Sequence, residues 1–224
     1  MSQGRQAFER EIKDLEHDLL EMGSRAETMV GNAVEALADV DTGLALRTIQ
    51  ADDELDAQDL AIEARCLRML ALHGPMAGDL RLVGSVMKII TDIERIGDLA
   101  VDVAKIAIKV DKELGSSGSV DIRGMAGVAR TMFREALLAF ARRDLERVET
   151  VARMEDEVDA LYRDLRGQIF EDMRNDGGNA VCDGWLLMAV HHIERIADHS
   201  LNIAERVTFM VTGELRPAEA SARP

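Results

Sequence analysis

The chain repeats itself. The segment Ile93–Asp98 (IERIGD) returns a hundred residues later as Ile193–Asp198 (IERIAD). Upstream, the acidic segment Asp52–Ala57 corresponds to Glu155–Ala160 at a spacing of 103 residues. Because the matches keep the same order along the chain, they predict two tandem copies of one folding unit.

Each copy has the pattern of long helices. In the first copy, apolar residues in steps of three and four predict one helix over Phe8–Ala36, a second over Leu44–Met69 and a third over Leu80–Ile108. The segment His73–Pro75 ends the second helix, since proline lacks an N–H group. Only three prolines and seven aromatic residues occur among 224 residues, which is typical of a helical protein and not of a β-sandwich.

The predicted fold class is therefore all-α, with two tandem, pseudo-twofold-related three-helix bundles of long helices in up-down packing. The predicted boundaries are a first unit over 1–113, a linker over 114–119, a second unit over 120–213 and a disordered tail over 214–224.

Carboxylates interrupt the apolar pattern of the third helix. Glu94 stands where the spacing assigns a core residue, and Asp98 and Asp102 follow on the same stripe. The second copy repeats the interruption with Glu194 and Asp198. A carboxylate at a core position costs free energy unless a cation or a proton compensates its charge.

A second acidic pair lies at the same height on the neighbouring helix. Asp52 and Asp98 are equidistant from Pro75, and so are Asp56 and Glu94. Because residues equidistant from a turn lie side by side in antiparallel helices, these four carboxylates are predicted to converge. Glu155 and Asp159 stand in the same relation to Glu194 and Asp198.

Facing carboxylates on bundled helices are typical of di-iron and di-manganese sites, and an all-oxygen set suits Mg, Ca, Mn or Fe. His191 lies on the carboxylate stripe of the second copy and could add a nitrogen ligand. The alternative is that Arg95 and Arg195 form ion pairs with acids on a solvated face. The predicted metal ligands are Asp52, Asp56, Glu94, Asp98, Asp102, Glu155, Asp159, His191, Glu194 and Asp198.

The other metal-binding residue types fit structural roles. His192 and His199 have no histidine counterpart in the first copy and are predicted at the surface. Cys66 and Cys182 lie in helical patterns without CxxC spacing, so they are predicted to be buried reduced thiols.

The charge balance excludes several classes of partner. The chain has 27 basic and 42 acidic residues, a formal net charge of −15, which disfavours binding to nucleic acid or to anionic lipid. No apolar stretch reaches the roughly 18 residues of a membrane span, and the start of the chain is too polar for a signal peptide. We expect a soluble, cytoplasmic protein without direct membrane insertion.

The duplicated motif resembles the PhoU family of phosphate-transport regulators. Asp79-Leu80-Arg81, the segment Ile93–Asp98 and the second ERIxD at Glu194–Asp198 carry the resemblance, which covers the chain from about Phe8 to Thr212. Asn179-Ala180-Val181 stands where a second DLR is expected, so the second site is expected to bind differently or more weakly.

The resemblance implies a non-enzymatic, often dimeric regulator. Such proteins couple the phosphate ABC transporter, through its ATPase, to a membrane sensor histidine kinase and repress the phosphate-starvation response. The resemblance also implies multinuclear iron or zinc clusters on the E/DxxxD motifs of some members; Mg, Mn or Ca is not excluded. No organic cofactor is expected.

Two other interpretations stay open at this stage. One is a ferritin-like, carboxylate-bridged metalloprotein that stores or oxidises metal, although that class normally carries a Glu-x-x-His pair on each of two helices. The other is a helical scaffold without metal.

Overall fold

The computed structural model describes residues 3–114, 121–175 and 180–214. Within these ranges the chain is helical apart from short turns, and no strand occurs. The prediction of an all-α fold is confirmed. The seven helices are α1 (Gln3–Asp39), α2 (Thr42–Gln50), α3 (Asp52–His73), α4 (Gly78–Leu114), α5 (Ile122–Arg142), α6 (Leu145–Asn175) and α7 (Ala180–Thr212).

The predicted linker from 115 onward and the predicted tail from 215 onward lie outside the described residues. The domain boundaries that depend on these two segments therefore stay predictions.

The second predicted helix is divided in the structure, so the prediction of one continuous helix over Leu44–Met69 was wrong. The break is at Ala51, whose N–H bonds to the carbonyls of both Arg47 (3.1 Å) and Thr48 (3.2 Å). A bond to the third residue back has 3₁₀ geometry, in which the turn is tighter than in an α-helix. Alanine is a strong helix former, so the sequence carries no local signal for this break.

The duplication extends to the backbone of the turns. Val40 and Arg143, which stand at the repeat spacing, both adopt a left-handed backbone with φ of 56° and 54°. The residue after each one caps the next helix: Asp41 Oδ1 accepts from the N–H of Leu44 at 2.9 Å, and Asp144 Oδ1 accepts from that of Glu146 at 3.0 Å. A positive φ is uncommon for a residue other than glycine, so its occurrence at equivalent positions indicates that both units contain the same type of turn.

Both units share one hydrophobic core. The most extensive helix–helix contact is between α4 and α7, one from each unit, and α1 also packs on α5. The helix α4 is buried on two sides, because it contacts α1, α2 and α3 of its own unit as well as α7. Cys66 and Cys182 are buried thiols that form no disulfide, as predicted. The largest fully buried side chains include Leu15, Leu19, Met22, Met29, Leu55, Ile89, Ile93, Phe133 and Phe140.

The helices α4 and α7 run antiparallel. Ser85 Oγ, near the start of α4, donates to the carbonyl of Arg206 near the end of α7 at 3.5 Å. At the other end of the pair, Lys109 Nζ lies 3.9 Å from the centroid of the Trp185 ring. Because both helices are the third long helix of their unit, this contact relates the two units by a pseudo-twofold axis.

Candidate metal centre and the interface between the units

The acidic stripe of the first unit begins where α3 begins. Asp52, Asp53 and Glu54 form the first turn of α3, where the helix dipole favours negative charge. From the middle of α4, Asp98 interacts electrostatically with Asp52 in this turn, and Glu94 interacts with Asp56 and Asp59 farther along α3. The start of α3 and the middle of α4 thus bring the carboxylates of the first unit close to one another.

The four predicted carboxylates of the first unit are neighbours in the structure. Burial raises the pKa of Asp52, and the negative charges of Asp56 and Asp98 raise it further. Burial likewise raises the pKa of Glu94, with further contributions from Asp98 and from Asp56 across the helix pair. The electrostatic influence of Asp98 on Asp52 and of Asp56 on Glu94 joins the residues that stand at equal distances from Pro75.

A further carboxylate joins this cluster. The pKa of Asp59 is raised by burial and then by the charges of Glu63 and Asp56, and Asp59 also raises that of Glu94. Asp59 lies on the acidic stripe of α3 but is absent from the predicted ligand set. Its second-copy counterpart is Tyr162, so a rule that required both copies to agree could not find it.

Two cations of α4 already contact acids of the cluster or beside it. Arg95 lies with Nε 3.4 Å from Glu94 Oε2 and with Nη1 2.9 Å from Asp98 Oδ2. Asp102 pairs with Lys105 at 3.1 Å. The pairs of Arg95 with Asp98 and of Lys105 with Asp102 are solvent-exposed. Exposed pairs contribute little free energy, so they only partly offset the repulsion among the carboxylates.

The donor chemistry of the cluster fits a hard cation. Among the described residues, Asp52 Oδ1 is a buried oxygen without a hydrogen-bond partner, and a buried unpaired carboxylate oxygen costs free energy that a cation would recover. The side chains do not close around one point, however. No group of three or more His, Cys, Asp or Glu residues within the described ranges has the spacing to hold a metal ion.

The second unit presents the corresponding residues in a different environment. Glu155 is buried at 6% exposure, and the side chain of Glu194 is 16% exposed. His191 Nδ1 lies 3.4 Å from Glu194 Oε2. Asp159 is half-buried, and so is Asp198, which takes part in polar interactions.

Polar residues cross between the units where α4 packs on α7. His199 Nδ1 lies 2.9 Å from Asp92 Oδ1, and Asn202 Nδ2 donates to the same oxygen at 3.3 Å. Around the pseudo-twofold axis, the equivalent of Asp92 is His192 and the equivalent of Asn202 is Asp102. Burial lowers the pKa of His192, and the charge of Asp102 opposes that shift.

The prediction that His192 and His199 lie at the surface was wrong. The side chain of His199 is 16% exposed, and His192 is half-buried. Both histidines face α4 of the other unit. Their burial could not be seen from patterns within one unit, because it depends on how the two units pack.

The DLR segment fastens the ends of two helices. Asp79 Oδ2 accepts from Arg5 Nη1 at 2.8 Å, which ties the start of α4 to α1. Arg81 Nε donates to the carbonyl of Met210 at 3.4 Å, in the last turn of α7. Leu80, predicted in the apolar seam, is instead 48% exposed, because it lies on the first turn of α4 at the edge of the bundle.

None of the described helices combines the length and the apolar character needed to cross a bilayer.

The family comparison covers both units. The model of the PhoU domain matches residues 19–107 and again residues 122–207. The phosphate-specific transport system accessory protein PhoU homolog of Pseudomonas aeruginosa is 38% identical over 209 residues, covering 93% of this chain and 86% of that protein. The homolog of the same name from Deinococcus radiodurans is 36% identical, with 93% and 98% covered.

Solved structures agree with this assignment. The crystal structure of PhoU from Pseudomonas aeruginosa superposes with a TM-score of 0.88 at 37% identity, over 92% of this chain and all of that one. The phosphate transport system regulatory protein PhoU from Streptococcus pneumoniae superposes with a TM-score of 0.87 at 29% identity, over 93% and 99%. The duplicated acidic motif, the helical architecture and these matches over both units establish that the chain belongs to the PhoU family.

Proposed function

We propose that this protein is a non-enzymatic accessory regulator of a phosphate-specific transport system. The observation that carries the proposal is the match of both units to the PhoU domain, with relatives that are named accessory proteins of that system. Their identity of 38% and 36% extends over nearly the whole chain, so the proposal concerns both units together.

The finer role that we propose is that of an adaptor. The protein would contact the ATPase of the phosphate ABC transporter and a sensor histidine kinase at the cytoplasmic face of the membrane, and repress the starvation response when phosphate is plentiful. Two related units with different outer surfaces support this role, since α3 and α6 can each present a distinct face to a different partner.

We propose that the acidic cluster of the first unit binds a hard cation as part of this regulator. Asp52, Asp56, Glu94 and Asp98 would hold it, with Asp59 beside them; a bound cation would neutralise carboxylates that now raise each other's pKa. Iron, zinc, manganese, magnesium and calcium are the candidates. Free phosphate is repelled by this cluster, so phosphate would bind there only through the cation.

The second unit offers a parallel but chemically distinct set. Glu155, Asp159, Glu194 and Asp198 stand where the first unit has its four acids, and His191 contacts Glu194. We propose that this set binds a cation with different preference from the first, because an imidazole nitrogen favours zinc or iron over calcium.

The regulatory role is tested in cells that lack the gene. In phosphate-replete medium, a starvation-promoter reporter is expected to be active in the deletion strain and silent when the wild-type chain is restored. A reporter that is equally silent with and without the gene contradicts the proposed role. A variant Asp52→Asn/Glu94→Gln then separates the two parts of the proposal. Full repression by this variant would support the regulatory role and contradict a role of the cation site in it.

A further inference from the structure

The turn between α3 and α4 presents the two most exposed large apolar side chains in the described part of the chain. Met76 in the turn is 80% exposed, and Leu72 at the end of α3 is 71% exposed. Leu80, in the first turn of α4, is 48% exposed. A group of large apolar side chains in contact with solvent indicates a surface that binds another molecule.

This apolar surface is concave. Leu72 and Met76 border a cavity of about 460 Å³ between the start of α1 and the turn. The buried Phe8 forms part of its wall, and Arg5 and Asp79 also line it. A concave apolar surface is filled by side chains that project from a partner, whereas the flat surface of a bilayer would leave it empty.

The backbone of the turn is already ordered. Gly74 ends α3 in a left-handed conformation with φ of 52°, and its N–H donates to the carbonyl of Leu70 at 3.3 Å. The N–H of Asp79 donates to the carbonyl of Met76 at 3.2 Å, and the carboxylate of Asp79 accepts from Arg5 Nη1 at 2.8 Å. Because the surface is preorganised, a partner pays little conformational entropy to order it.

The same tip is basic, although the whole chain has a formal net charge of −15. Residues 64–88, the basic tip, contain Arg65, Arg68, Arg81 and Lys88, with Asp79 as their single carboxylate. Arg68 lies one helical turn before Leu72, on the same side of α3. Arg68 and Lys88 are exposed, and neither forms an ion pair with another residue in the described ranges. Their charges are therefore available to a partner.

The second unit has the opposite charge at the equivalent place. Residues 167–188 contain one arginine, Arg174, and the four carboxylates of Glu171, Asp172, Asp176 and Asp183. At the repeat spacing of 103 residues, Glu171 replaces Arg68 and Asn175 replaces Leu72. The basic, apolar surface is thus a property of the first unit and not a by-product of the repeated fold.

We infer that the basic tip docks an acidic amphipathic segment of a partner protein. Apolar side chains of that segment fill the cavity beside Leu72 and Met76, and its carboxylates face Arg68. Charge complementarity selects this partner, because a positive patch attracts carboxylates and repels basic segments. The inference deepens the proposed function and rests on it, since the segment belongs to a protein that the adaptor contacts.

Photo-cross-linking of the full chain in living cells tests the docking surface. The chain carries Met76→p-benzoylphenylalanine, and the cells grow with plentiful phosphate. Mass spectrometry of the cross-linked peptides is expected to identify a protein segment in which carboxylates outnumber basic residues and apolar residues recur at helical spacing. An adduct with phospholipid, an adduct with a basic segment, or no adduct overturns the inference.

Charge reversal tests the role of Arg68. In the same photoreactive chain, Arg68→Glu is expected to lower the yield of the adduct by roughly tenfold or more, because like charges then face each other. The matched control Arg166→Glu changes the net charge equally at an exposed position of α6 and is expected to keep the yield. An unchanged yield with Arg68→Glu, or an equal loss in both variants, overturns the inference. Circular dichroism checks that both variants stay folded.

The starvation-promoter reporter separates this inference from the proposed function. A chain that represses the reporter but gives no adduct at position 76 overturns the docking surface and leaves the regulatory role. A chain that gives the expected adduct but does not repress the reporter supports the docking surface and contradicts the regulatory role.

Discussion

Gly97 of α4 packs directly against Leu55 of α3: a methyl group placed on Gly97 would lie 2.1 Å from Leu55 Cδ2. At the equivalent positions the second unit has Ala197 and Val158, so a larger residue on one helix accompanies a smaller one on the other. The same helix–helix contact occurs in both units, but the side-chain volume is distributed differently between the two helices.

We expect Gly97→Ala to destabilise the protein, because overpacking costs roughly 1–3 kcal/mol and the better helix propensity of alanine recovers only about 1 kcal/mol. Leu55→Val should restore stability by removing the clashing methyl group, as in the second unit. Urea unfolding of both single variants and the double variant measures this. A double variant no more stable than Gly97→Ala alone would show that Leu55 is not the limiting contact.

The pair of His199 and Asp92 should stabilise the contact between the units. Both side chains are 16% exposed and 2.9 Å apart, so removing Asp92 leaves Nδ1 of the largely buried His199 without this partner. Asp92→Ala is expected to cost about 1–2 kcal/mol, and a double-mutant cycle with His199→Ala should give a coupling energy of at least about 0.5 kcal/mol. The exposed pair of Asp102 and Lys105 serves as control, with an expected coupling below about 0.5 kcal/mol.

Glu94 should make stability fall as the pH rises. Its pKa is raised in the folded protein, so between the unfolded value of about 4.3 and the folded value the native state holds a proton that the unfolded chain has lost. Ionised Glu94 therefore destabilises the fold above that window. We expect Glu94→Gln to be more stable than the wild type at pH 7, with a gain below roughly 1 kcal/mol because solvent screens the half-buried group, and with no gain below pH 4.

Thermal unfolding in metal-free buffer from pH 3.5 to 7.5 measures this difference. The exposed residue Glu149 is the control, since Glu149→Gln should leave the curve unchanged. A stability gain for Glu94→Gln that is equal at all pH values would assign the effect to packing and not to charge.

A bound cation should make the wild type more stable than a variant that lacks Glu94. If Mn²⁺, Fe²⁺ or Zn²⁺ binds the first cluster, saturation at a hundred times its dissociation constant stabilises the wild type by about 2.7 kcal/mol. Asp52→Asn/Glu94→Gln should lose most of this increase in melting temperature, whereas Asp53→Asn, an exposed neighbour, should keep it. Equal increases in all three proteins would place the bound cation elsewhere.

Arg81 should hold the end of α7 in place. We expect Arg81→Ala to lose the hydrogen bond to the Met210 carbonyl and to speed amide exchange in the last turn of α7, at a cost of roughly 0.5–1.5 kcal/mol. Hydrogen exchange followed by mass spectrometry measures the change locally. Arg68→Ala, on the exposed side of α3, should leave the exchange of α7 unaltered.

Periodicity and the turn at Pro75 were sufficient to predict much of the first unit. The seam of α1 is confirmed, since Leu15, Leu19, Met22 and Ala26 are all fully buried. The facing of Asp52 with Asp98 followed from counting residues to the turn. Both inferences are local, because each depends only on the helix period and one reversal of the chain.

The contacts between the units could not be predicted in the same way. Ile89 and Ile93 lie beside the predicted seam of α4 and are fully buried, since this helix is covered on two sides. The burial of His199 depends on the same arrangement. Nothing in the sequence of one unit states which of its faces the other unit covers, and the break at Ala51 likewise has no local signal.

The shared core has a consequence for the history of the duplication. A single unit taken alone would expose the side of α4 or α7 that packs on the other unit, so we expect each half to be less stable alone than in the whole chain. Cutting the chain between Leu114 and Asp121 should leave the halves bound to each other. The two acidic clusters can therefore change their ligands independently of each other. A mutation that weakens the packing of either half, by contrast, lowers the stability of the whole protein.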